Sequence, residues 1–551
     1  MGFRIFANII GAAGIAALAA GCHQAADEPD LEAPLLDGMG SHHHAIETGD
    51  PLVQRLFNQG LVLSYGFNHK EAERSFREAA RLDPECAMCW WGVALVLGPN
   101  INLGMPPDHV PKAWAALEKA QALKHHASER HRAYIEALAE RYEQDPPDER
   151  SRLDEAYAEA MGEVASRYPE DPDAATLHAE ALMDTTPWDY WEDDGSPKPV
   201  TGTILTTLES VLAEHPEHPG ANHLYIHTVE KERPEQGLSS AKRLEDLVPG
   251  AGHLVHMPSH IYIRTGDYHA GSLANERAVM ADEAYIAQCR QQGVYPLGYV
   301  PHNWHFLWAT TTLEGRSERA MEAARETRKR VDMDMIDQPG MGTLQHFYVL
   351  PLYAKVRFGH WDEVLESQRP PEELKYPRGV WHYARGMARV ARNELGRAQT
   401  ELKNLRAIAG DPGMETVTIW EINTMSEILA IADDVLSGEL AAARGDHDQA
   451  IRRLRAGVAK QDALSYNEPP DWHAPVRLTL GAVLMEAGRP DEAEAVYREN
   501  LDRFPDNGWA LYGLAESLEA QDKTAEAAEV RARFREAWHR ADVELDASRL
   551  L

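Results

Sequence analysis

Cysteine is scarce. Four occur in 551 residues: Cys22, Cys86, Cys89 and Cys289. Cys86 and Cys89 form the lone C-x-x-C, and without a second one a structural zinc ribbon is excluded. The pair is left as a local disulfide, two packed thiols or half of a soft metal site. Basic side chains are also in short supply, with 55 Lys and Arg against 88 Asp and Glu and a formal charge of −33. Such a surface repels polyanions, so no nucleic-acid partner is expected, while cations are drawn in. No apolar run after residue 20 is long enough to span a membrane. The chain has no H-E-x-x-H, no G-x-S-x-G and no P-loop. No standard motif therefore assigns a reaction, and whether the chain is an enzyme stays open.

The first 22 residues are a different matter. "MGFRIFANIIGAAGIAALAAGC" has a basic start, an apolar stretch from Ile5 to Ala20, and small residues before Cys22. That order reads as a secretory signal. With Cys directly after "LAAG", it resembles a bacterial lipoprotein signal. The resemblance implies lipid on Cys22, membrane contact through that lipid alone, and, with His23 following, the outer membrane facing the periplasm. Residues 23–50 read as a flexible acidic tether. Within them "SHHHA" (41–45) reads either as part of that tether or as an arm that captures metal.

Beyond residue 50 the chain repeats itself. In "LFNQGLVLSYGFNHKEAERSFREAARLDP" small and aromatic residues recur at helical spacing, with Gly60, Ala72, Phe76 and Pro84 as landmarks. The pattern resembles the tetratricopeptide repeat (TPR), a helix–turn–helix of about 34 residues. The same ruler places repeats starting near 87, 174, 218, 252, 301, 345, 379, 431, 474 and 508. This predicts an all-α protein, an α-solenoid of TPR-like helix–turn–helix repeats with two inserted loops. The segments expected are N-terminal repeats (51–185), central His-rich repeats carrying the insertions (186–375) and C-terminal repeats (376–551). The insertions are "MDTTPWDYWEDDGSPKPVTG" and "QCRQQGVYPLGYVP".

Histidine is what the chain has in plenty, 26 in all and unevenly spread. "HLVHMPSHIYIRTGDY" carries His253, His256 and His260 around Pro258. On one helix these three span roughly 60° of a single face. His223 and His227 are one turn apart, the spacing by which one helix offers two imidazoles to one metal. His302 and His305 open the next repeat. The TPR resemblance implies that first helices line a concave groove, which would place these seven histidines on or beside one surface. Neutral imidazole is a common ligand for Cu, Zn and Fe, so a transition-metal site is expected, with the three metals not distinguished. A metal-dependent hydrolase or oxidase would be the chemistry if the site is catalytic. His178, Asp184, Glu230 and His346 fall beside the same surface as further ligands or supports, as does Asn303. Trp188 and Tyr299 are candidate walls. The competing expectation is a metal-free scaffold whose groove binds a peptide or protein. Pro258 either kinks the helix between His256 and His260 or sits in the first turn of a helix that starts late.

Overall fold

A computed structural model describes residues 31–551 except 148, 193 and 290–294. The signal segment and the lipid-bearing Cys22 expected from the sequence lie outside the described residues. The helical periods become antiparallel helix pairs. The N-terminal helices are α1 (Pro51–Tyr65), α2 (His69–Leu82), α3 (Ala87–Val96), α4 (Val110–Leu123), α5 (Glu129–Ala139), α6 (Ser151–Arg167), α7 (Pro172–Thr185) and α8 (Pro199–Glu214). Next come α9 (Pro219–Val229), α10 (Leu238–Leu247), α11 (Gly252–His256), α12 (Pro258–Thr265), α13 (Tyr268–Cys289), α14 (Val300–Leu313), α15 (Ser317–Lys329) and α16 (Gly342–Arg357). After α17 (Trp361–Glu366), α18 (Lys375–Ala391) and α19 (Leu395–Ala409), a small hairpin pairs β1 (Thr418–Ile419) with β2 (Asn423–Thr424). The chain ends in α20 (Met425–Ala442), α21 (His447–Asp462), α22 (Val476–Glu486), α23 (Pro490–Arg503), α24 (Gly508–Glu519) and α25 (Thr524–Ala537).

Each helix packs on its chain neighbour, and alternate helices touch as well, for example α1 with α3, α18 with α20, and α22 with α24. This is the stacking of an α-solenoid. The repeat landmarks explain it. A Cβ on Gly60 or Gly92 would overlap the Phe76 ring, and one on Gly481 or Gly513 would overlap the Tyr497 ring. In both places a glycine on each side lets two first helices close on one aromatic from the helix between them. Repeat starts expected near 87, 174, 218, 252, 301 and 508 correspond to α3, α7, α9, α11, α14 and α24.

Two features go beyond a simple stack. α1 packs against α9, far along the chain. The C-terminal repeats also return to the middle. Tyr268 Oη donates to the Pro505 carbonyl at 2.8 Å, and Trp509 Nε1 donates to the Thr312 carbonyl at 3.0 Å. The largest buried apolar cluster runs from Ile263 to Val530, and another reaches from Val62 to Tyr262. The central histidines sit at the seam between them.

The residues expected as the end of a tether lie against the solenoid from 31 onward. Ala33, His44 and Ile46 are buried. The Leu36 N–H donates to Gln59 Oε1 at 2.7 Å, and Gly250 N–H donates to the Gly38 carbonyl at 2.9 Å. Of the alternatives open for Cys86 and Cys89, the structure has the disulfide. Among the described residues no helix is long and apolar enough to cross a membrane.

Candidate metal centre

Three pieces of chain bring six histidines together. α9 carries His223 and His227 one turn apart. α14 carries His302 near its start. Between them the helix with three histidines is broken: α11 ends at His256, Met257 is the joint, and Pro258 opens α12. Proline is tolerated in a first turn because that N–H has no helical partner. Both readings of Pro258 therefore hold in part, since the break falls between His256 and His260 and the proline occupies the first turn after it. The ligand nitrogens of His223, His227 and His253 lie within 4.8 Å of one another, and so do those of His256, His260 and His302. The two sets adjoin, with ring centroids 5.4 Å apart for His227 and His260 and 5.8 Å for His253 and His256.

The hydrogen bonds behind the rings decide which nitrogen faces inward. His223 Nδ1 donates to the Tyr65 carbonyl at 2.5 Å. His227 Nδ1 donates to Glu230 Oε1 at 2.9 Å, and His260 Nδ1 donates to Glu230 Oε2. His256 Nδ1 faces Asn275 Oδ1 at 2.7 Å, and that amide is oriented because its Nδ2 donates to the Gly271 carbonyl at 2.8 Å. In each of the four rings Nδ1 is engaged behind the ring, so Nε2 is the nitrogen turned toward the cluster. The Nε2 atoms of His223 and His227 are buried without a partner, as are both ring nitrogens of His253. His256 Nε2 and His260 Nε2 stand 3.0 Å apart.

Burial sets the charge state. It pushes His223, His253, His256 and His302 well below the usual imidazole range, and the neighbouring imidazoles push them further. His227 is also lowered by burial, although Glu230 works against it. Burial would raise Glu230, but His260 and His227 outweigh it and hold the carboxyl at about 2. Burial thus favours neutral imidazole, the ligating form of histidine, at His223, His227, His253, His256 and His302, beside one buried carboxylate.

The expected residues divide. Trp188 presents an edge contact to His227 at 5.0 Å and Tyr299 one to His253 at 4.8 Å. Both inserted segments therefore cover the cluster. Glu230 joins the two halves from behind. His305 does not join them: it packs beside His346 at 5.5 Å and stacks on Trp308, so the neighbouring helix α16, not the helix spacing, separates it from His302. His346 bonds through Nδ1 to Tyr376 Oη at 2.9 Å. Asp184 is committed to Arg141 at 2.6 Å, and Asn303 donates to Asp282 at 2.7 Å. His178 packs over Gly162. Nor do the six line an open groove, since all but His302 are buried.

Other contributors were not visible in the sequence pattern. Phe67 has a left-handed backbone, φ 54°, which turns its ring onto His223 at 4.6 Å and His253 at 5.7 Å. Phe306 packs on His256, His260 and His302 at 4.5–5.0 Å. Trp420, at the hairpin tip, meets His302 at 5.8 Å. Of these, Phe306 alone had a local signal, since it lies one turn after His302.

The "SHHHA" segment reaches a separate acidic centre. Asp173 receives His42 Nε2 at 2.9 Å, His44 Nδ1 at 2.7 Å, His218 Nε2 at 3.1 Å and Tyr65 Oη at 2.6 Å. His218 Nδ1 accepts the Ala221 N–H at 3.1 Å, which leaves the proton on Nε2. The ligand atoms of His42, Asp173 and His218 lie within 4.8 Å of one another, as do those of His44, Asp171 and Asp173. Through these bonds the centre clasps the N-terminal strap to α7 and α9.

A family model described as "Tetratricopeptide repeat" matches residues 484–533. A 148-residue stretch is 32% identical to Cellulose synthase 1 operon protein C of Komagataeibacter xylinus, covering 27% of this chain and 10% of that protein. Among solved structures, the human IFIT1 dimer with m7Gppp-AAAA is similar at 12% identity, over 89% of this chain and 91% of that one, with a TM-score of 0.30. Yeast Tom70 is similar at 11% identity over 88% and 90% of the two chains, with a TM-score of 0.27.

Proposed function

We propose that this TPR-like solenoid carries a two-ion transition-metal centre. One ion sits on His223, His227 and His253, and the other on His256, His260 and His302. The observation that supports the reading best is the triad of His223, His227 and His253, whose ligand nitrogens lie within 4.8 Å of one another while His223 Nε2, His227 Nε2 and both ring nitrogens of His253 are buried without a partner. Buried imidazole nitrogens gathered on one small space and left unpaired are the donor set a transition metal takes.

The donor set narrows the metal. Six imidazoles with no direct carboxylate suit copper or zinc. Magnesium, calcium and manganese prefer oxygen, and the common two-histidine, one-carboxylate iron site needs a carboxylate ligand. Glu230 accepts the Nδ1 protons of His227 and His260, and in this reading it orients the two rings from behind rather than binding an ion. Three protein ligands per ion leave a coordination position free for water, dioxygen or substrate, which favours metal-dependent hydrolysis or oxidation over storage. His302, the half-buried member, marks the side of entry. The targeting segment extends the reading to a lipid-anchored protein of the bacterial envelope. A Cys22→Ser protein that stayed in the membrane fraction would remove that part.

The test is elemental analysis after loading with copper and, separately, zinc. Two ions per chain are expected for the wild type, with His223→Ala and His256→Ala each losing about one. Less than one ion per chain with either metal, or two unchanged variants, would sink the proposal. A second reading, an interaction scaffold, draws on the TPR match at 484–533. It concerns the C-terminal repeats and not the histidines.

A further inference from the structure

A second site lies where the C-terminal repeats return to the middle of the solenoid. Arg357, at the end of α16, is 7% exposed, and among the described residues no carboxylate acts on its charge. Its guanidinium carbon lies 3.6 Å from the Trp509 ring centroid. Burial pulls its pKa down to about 9, which leaves it charged at neutral pH. An unpaired buried cation is costly, and its five donors need acceptors.

Arg357 lines a cavity of about 40 Å³. Three other residues of the cavity lining carry a buried polar atom without a partner: Trp308 at Nε1, Thr312 at Oγ1 and His473 at Nδ1. His473 Nε2 is engaged with Tyr383 Oη at 3.1 Å. Where Tyr383 donates to Nε2, the neutral ring carries its proton on Nδ1. The indole can only donate, and the hydroxyl is free to. The cationic Arg357 thus shares a cavity lining with three residues that each carry an unpaired polar atom, while Gln461 Oε1 of the same lining is taken by the Val476 N–H. The rim is apolar and half-buried, through Leu313, Pro475 and Phe504.

We infer that this pocket binds the head of a small apolar carboxylic acid, with its carboxylate on Arg357, Trp308, Thr312 and His473 and its tail across Leu313, Pro475 and Phe504. The cavity has room for about three water-sized atoms, the size of a carboxylate group. A planar guanidinium matches a carboxylate through paired N–H donors. α14 links this pocket to the metal centre, since Trp308 and Thr312 lie about 9–15 Å along the helix from His302. The inference does not depend on the metal, and the test below is run on metal-free protein.

The probe is sodium hexanoate, added to the full chain while its melting temperature and heat of binding are followed. Hexanol tests the tail alone and inorganic phosphate tests an anion without a tail. Hexanoate should raise the melting temperature in a saturable way, and neither control should. Arg357→Met should lose the response while remaining at least as stable as the wild type without ligand, because it removes an unpaired buried charge. Trp308→Phe keeps the charge, removes one N–H, and should weaken hexanoate on the order of tenfold. No response in the wild type, an equal response to hexanol or phosphate, or a full response in Arg357→Met would each overturn the inference.

Discussion

Replacing Glu230 by glutamine is the sharpest probe of the metal centre, because it changes one atom's chemistry and almost no volume. Glu230 accepts Nδ1–H from His227 with one oxygen and from His260 with the other. Glutamine retains one acceptor oxygen, but its other terminal atom is an NH2 donor. Whichever imidazole faces that NH2 meets donor against donor. The clash is relieved by moving that ring's proton to Nε2, the nitrogen that should hold the ion. One ion set should therefore weaken while the other survives. Loss of an orienting partner behind a metal ligand costs about 10–100-fold in affinity, or roughly 1.4–2.7 kcal/mol. The assay is competition against a chromophoric chelator, in parallel for wild type, Glu230→Gln and Asp173→Asn. The last alters the strap clasp and should bind like wild type. If Glu230→Gln binds two ions with unchanged affinity, the tautomer reasoning is wrong.

Three further outcomes follow from the same structure. His305→Ala should leave metal content at the wild-type level despite its place in the histidine-rich sequence, because its ring lies beside His346; a lost ion on elemental analysis would contradict this. The strap clasp should depend on pH. Burial disfavours a charged His44, but the bond and charge of Asp173 outweigh it and raise His44 above 6.5. A raised pKa stabilises fully below the unfolded value and the effect is lost as pH rises through the folded value. Asp173 is held well below 3.8 by His42, His218 and His44 against the effect of burial, so its contribution disappears only in strong acid. Hydrogen exchange over residues 41–47, corrected for intrinsic rate, should therefore show less protection at pH 8.5 than at pH 5.5, and equal protection would refute the assignment. Gly481→Val would push a side chain into the Tyr497 ring, so it should destabilise the C-terminal repeats by at least about 1–3 kcal/mol in denaturant unfolding.

Much of this molecule is legible residue by residue. The glycine–aromatic–glycine pattern at Gly60, Phe76 and Gly92 recurs at Gly481, Tyr497 and Gly513, and each is a purely local requirement for two helices to approach. Such requirements repeat with the period of the fold, so the helix starts could be read in advance. The i, i+4 spacing of His223 and His227 and the cluster around Pro258 are legible for the same reason. Periodicity says which face a residue is on, but not what that face meets. His302 and His305 are equivalent candidates on one helix, and only the neighbouring helices separate them. The Tyr65 carbonyl that orients His223 comes from 158 residues earlier. Asp184 looks like a ligand until Arg141 is seen beside it. The hydrogen-bond bookkeeping that sets each tautomer is likewise invisible in the sequence, because it depends on which acceptor lies behind each ring.

The sequence by itself determined the repeat, the helices and the supply of histidine. Tertiary structure decided that the histidine face is a closed interior, that six rings and not seven meet, and that Arg357 is left without a carboxylate. The physical reason is the range of the interactions. A helix is specified within a few residues, but the closing of α1 onto α9 and of the C-terminal repeats onto α14 sums small rotations over many repeats and two insertions, and no single stretch of sequence carries that sum.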